Sequence, residues 1–148
     1  MVYAGPQHPE DVVLRTLLFR FFNRPETWAA LEEARSVVTA ADFDVNSYAE
    51  ILDGQMAAGQ TIYSAAYIIP PPPFGHVRKH RNHLALVEHM MNTGLATRLT
   101  DATSLGEVYE VIASYPSLGP FLAYQLTIDL NYSSIIDFDE DDFVVPGP

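Results

Sequence analysis

The chain has 148 residues, 48% of them hydrophobic, which supports one domain with a real core and leaves too little for two. It has no cysteine, so neither a disulfide scaffold nor a thiolate metal site is expected, and a formal charge of -11 disfavours a general, charge-driven attraction to nucleic acid. The N-terminus lacks a signal-peptide pattern and no apolar run approaches the roughly 20 residues needed to cross a bilayer, so a soluble intracellular protein with no membrane partner is expected.

Pro9 with Glu10 and Asp11 opens a helix, because proline fits the first turn and acids favour the positive end of the dipole. It runs to about Phe22, and its apolar stripe of Val13, Leu14, Leu17, Leu18, Phe21 and Phe22 is widened by Val12 and Phe19, which places it centrally in the core. "NRPETW" opens a second, short helix at Pro25, and "SYAE", Ser47 to Glu50, has the spacing of a capping box for a third that runs towards Gly59. "TIYSAAYIIPPPPFG" reads as a buried segment leading into a stiff connector, since neither a helix nor a central strand continues through four prolines. "HVRKHRNHLALVEHMMNTG" becomes a helix that ends at Gly94, a natural left-handed cap. A second capping box, "SLGE" at Ser104 to Glu107, opens a helix that "YPSLGP" interrupts before "FLAYQLTIDL" resumes helical spacing. No useful strand alternation appears, so the expected class is all-α.

Three features have chemical content. Residues 105–130 read as a helix-hairpin-helix, whose turn near Gly119 would offer backbone amides to a phosphate, although Pro120 removes one amide and a plain αα-hairpin fits the same spacing. His76, His80 and His83 lie at spacings of four and three, which suits zinc, but Arg78, Lys79 and Arg81 among them would repel a metal. No metal site is therefore expected, and the stretch is read as a helix start that faces an anion. Asp139, Glu140, Asp141 and Asp142 cannot all be buried ionised; they form either a solvated turn or a turn that holds one carboxylate in a cleft. No phosphate loop of the Walker type, Gly-x-Ser-x-Gly elbow or Rossmann fingerprint is present, and no cofactor is implied.

The stretches "EDVVLRTLLFRFFNRPETWAALE", "YSAAYIIP", "YPSLGPFLAYQLTIDLNYS" and "DFDEDDFVVPGP" resemble the helical domain associated with hydroxymethyluracil DNA kinases, a group also described as α-glutamyl/putrescinyl-thymine pyrophosphorylases. The resemblance implies a DNA-glycosylase-like all-α fold and a role in thymine hypermodification. Its partner would be DNA containing a modified thymine, together with a P-loop kinase domain, fused or associated. It implies that Ser117 and Gly119 belong to a backbone-gripping turn, where the glycosylase pattern has two glycines and this chain has one. It also implies a catalytic carboxylate within the acidic run: Asp142 is favoured over Asp139, with Glu140 between them, Asp139 lying 20 and Asp142 lying 23 positions after Gly119. Arg78, Lys79 and Arg81 would contact phosphate. Set against the family pattern the chain reads as a partial copy, short at both ends. The expected activity is that of a DNA base-modifying transferase or pyrophosphorylase; the alternative is a non-catalytic module, or inactive fragment, that binds DNA or a partner.

Overall fold

The computed structural model describes residues 5–65, 73–141 and 143. Among these the fold is all-α, with seven helices and no strand: α1 (Pro9–Phe22), α2 (Pro25–Arg35), α3 (Val45–Ala57), α4 (Lys79–Asn92), α5 (Leu95–Thr100), α6 (Leu105–Ala113) and α7 (Pro120–Asn131). Proline stands at the first helical position of α1, α2 and α7, where its missing N–H is not needed. Within the stretch expected to lead from a buried segment into a proline connector, residues 66–72 lie outside the described residues, as do Asp142 and residues 144–148.

α1 is the central element and packs against α2, α4, α5 and α7. That explains why its sequence is apolar on more than one face: Val12 to Leu18, Phe21 and Phe22 are all buried. Two polar residues in this stretch are accommodated locally. Thr16 donates its hydroxyl hydrogen to the Val12 carbonyl, and the Arg15 guanidinium donates to the Pro6 carbonyl. α1 ends at Asn23, whose left-handed φ of 51° lets its N–H reach the Phe19 carbonyl. Near this end Arg20 grips Asp129 of α7 through two hydrogen bonds of 2.7 Å, joining positions 109 residues apart.

Two of the expected caps are adjusted. The third helix is capped by Asp44, whose carboxylate accepts from the Ser47 N–H at 2.9 Å and the Ser47 hydroxyl at 2.7 Å. Ser47 is thus inside the first turn, and the helix starts earlier than "SYAE" suggests, because an aspartate three residues upstream offers the stronger acceptor. At α6, Ser104 caps as expected, accepting from the Glu107 N–H at 3.1 Å, but the Glu107 carboxylate reaches back to the N–H and hydroxyl of Thr103, both at 2.8 Å. These bonds hold the Glu107 carboxyl below its usual range. Gly94 has the expected left-handed conformation, φ 78°, yet the chain turns directly into the short helix α5.

Candidate functional site

The described part of the acidic run, Asp139 to Asp141, forms a turn held against α7. Asn131, the last residue of that helix, uses its side-chain amide as a strand would: it donates to the Phe138 carbonyl at 2.9 Å and accepts from the Phe138 N–H at 2.8 Å. The same amide nitrogen lies 3.3 Å from a carboxylate oxygen of the half-buried Glu140. Asp139 is exposed and closes the turn by accepting from the Asp141 N–H at 2.9 Å. Phe143 then stacks on Tyr124 of α7, centroids 5.7 Å apart and planes 13° apart, and meets Tyr109 of α6 at 5.9 Å. From Asn131 to Tyr124 the chain therefore runs back along α7, towards the connection between α6 and α7.

That connection presents its backbone outwards. Tyr115 and Leu118 are buried and anchor it, whereas Pro116, Ser117, Gly119 and Pro120 are exposed. The Tyr115 hydroxyl lies 2.6 Å from the Thr93 hydroxyl and accepts from Arg98 at 3.2 Å, and its ring meets His89 of α4 edge-on. Ser117 has a φ of 64°, the left-handed conformation that glycine favours. Ser117 thus holds a backbone conformation that glycine would adopt at less cost. Gly119 caps α7 with an ordinary φ of -69°, and a Cβ placed on it would meet nothing within 4 Å. Neither backbone conformation nor internal packing requires glycine there.

The basic stretch opens α4 and meets a partner that the sequence analysis did not identify. Asp53 of α3 accepts from Arg81 at 3.0 Å, lies 2.7 Å from His80 Nε2 and 3.5 Å from Arg78. The anion expected to face this helix start is in part the protein's own carboxylate. Burial lowers the pKa of His80, and Asp53 offsets only part of that effect. Lys79 places its ammonium 4.3 Å above the Tyr63 ring, and the Tyr63 hydroxyl meets His83 Nδ1 at 2.5 Å. The His80 ring meets Asp53 and the His83 ring meets Tyr63, whereas His76 is exposed, and the described residues contain no cluster of groups suited to a metal ion.

The helices separate some of the predicted residues. Lys79 and His89 are ten residues apart on α4, about 15 Å along the axis, and His89 is the residue that touches Tyr115. The basic cluster and the α6–α7 turn therefore border opposite ends of α4. The last turn of α1 connects the other two features: Phe22 meets Tyr63 and Phe21 meets His83 on one side, while Arg20 holds Asp129 on the other, two residues before Asn131. Elsewhere a cavity of about 220 Å³ is lined by Arg15, Trp28, Glu32, Val37 and Val38, none of them singled out from the sequence. No helix among the described residues is long and apolar enough to cross a membrane.

A protein-family model described as 5-hmdU DNA kinase, helical domain, matches residues 1–148. No curated protein and no solved structure matches the chain.

Proposed function

The chain belongs to the 5-hmdU DNA kinase helical-domain family, and from that premise we propose that it binds DNA carrying hydroxymethyluracil and presents the modified base to a P-loop kinase domain. The observation that carries the reading is the α6–α7 turn, a helix-hairpin-helix in this proposal: an exposed backbone with Ser117 in a glycine-like conformation and a Gly119 that nothing inside the protein requires. Such a turn admits a phosphate close to the main chain. Arg78, Lys79 and Arg81 add three cations against one carboxylate, Asp53, in a chain that is otherwise strongly acidic.

The acidic turn supplies the base-directed part. A carboxylate from Asp142, Asp139 or Glu140 accepts a hydrogen bond from the hydroxymethyl group, and takes its proton as phosphoryl transfer proceeds or assists later displacement at the same carbon. The stacking of Phe143 on Tyr124 supports this placement, since it brings the residue after Asp142 onto the hairpin's own helices.

The test is binding of the 148-residue chain to duplexes with and without hydroxymethyluracil across a salt series. Tighter binding to the modified duplex is expected, with Gly119→Ser weakening both duplexes alike and Asp142→Asn removing the preference. Equal affinity of the unaltered chain for both duplexes would leave a DNA-binding module without base recognition, and absence of binding would end the proposal.

A further inference from the structure

We infer that Val77 is an apolar wedge that enters the DNA base stack beside the modified nucleotide, with Arg78 and Lys79 set against the neighbouring phosphates. This inference rests on the proposed binding of modified DNA and names the contact that would open the duplex. Val77 is 103% exposed, more than any other large hydrophobic residue described. A single exposed valine is ordinary in itself; the way this one is held is not.

Asn82, which is only 6% exposed, spends its side-chain amide on the loop immediately before α4. Its oxygen accepts from the His76 N–H at 3.0 Å, and its nitrogen donates to the His76 carbonyl at 2.8 Å and to the Arg78 carbonyl at 3.2 Å. Val77 is the residue between these two clamped neighbours. Its backbone is fixed on both sides while its side chain points into water, so little ordering remains for a partner to supply. Phe74, packed against the His89 ring, anchors the same loop further along α4.

The charges beside it fit one partner. The Arg78 side chain is 55% exposed, and Lys79 and Arg81 follow within the first turn of the helix. An exposed apolar tip next to cations suits a polyanion with an apolar interior, and a DNA duplex is that. Enzymes that modify a base within a duplex commonly take it out of the stack into a pocket, and a wedge that fills or props open the vacated step lowers the cost of doing so. Valine, being β-branched, has few rotamers to lose on insertion.

The experiment uses the 148-residue chain and a duplex with 2-aminopurine next to hydroxymethyluracil, read by anisotropy for binding and by 2-aminopurine fluorescence for unstacking. The unaltered chain is expected to bind and raise the fluorescence. Val77→Ser is expected to abolish the rise and to weaken binding about tenfold, whereas Val77→Phe retains both. Arg78→Gln is expected to reduce the salt slope by about one. Because Val77 makes no internal packing contact, both Val77 variants are expected to melt with the unaltered chain. Binding and fluorescence that persist in Val77→Ser would overturn the wedge while leaving DNA binding intact; failure of the unaltered chain to bind either duplex would remove the wedge together with the reading on which it rests.

Discussion

Ser117 is the residue at which local strain and proposed role meet. A left-handed φ costs an ordinary residue roughly 1–2 kcal/mol, and no packing of the exposed Ser117 side chain returns that cost. Ser117→Gly is therefore expected to stabilise the domain by about 0.5–1 kcal/mol in urea unfolding, the relief of strain being partly offset by the freedom glycine gains in the unfolded chain. A loss of stability would mean that the serine makes a contact of its own. The sequence alone shows one glycine where a glycosylase-like turn has two, which suggests a weakened motif. The backbone adds that Ser117 takes a left-handed conformation of the kind glycine favours, which composition does not carry.

At the scale of elements, Asn131 decides whether the acidic turn belongs to the folded domain. Asn131→Ala removes both bonds to Phe138 and is expected to cost about 1–2 kcal/mol, and limited proteolysis should then cut within residues 137–141 well before the helices. Equal protease resistance in the variant would show that Phe143 holds the turn without help. Six of the seven helices were legible in the sequence because they carry a proline at the first position, a polar cap or a long apolar stripe. α5 was not, because six residues following Gly94 hold too few periodic positions to separate from a turn. The start of α3 was misplaced for a related reason: Asp44 and Ser47 both have cap chemistry, and only the fold chooses between them. The partners of the candidate site were the least legible. Asp53 meets His80 and Arg81 across 27 and 28 residues, and Asn131 reaches Phe138 around a helix end, so neither leaves a local pattern.

Across the whole molecule, the buried His80 sets a pH dependence. Its folded pKa lies below the usual 6.5, chiefly through burial, so the unfolded chain takes up that proton first. The resulting stability is fully present above about pH 6.5 and is lost as the pH falls below it. Asp53 acts in the same direction at lower pH: burial raises its pKa, but hydrogen bonds from Arg81 and His80 together outweigh that and hold it below 3.8. Melting temperature is expected to fall between pH 7.5 and 5.5, and His80→Gln should flatten that slope whatever it does to stability at pH 7.5. An unchanged slope in the variant would assign the effect to other groups. The Arg20–Asp129 pair has a consequence for synthesis. α1 leaves the ribosome well before α7, and at about 5–20 residues per second the intervening 109 residues take about 5–20 s to make. For that interval α1, which has more buried residues than any other described helix, lacks one of its covering partners, so α2 and then α4 and α5, or a chaperone, must shield it until α7 emerges.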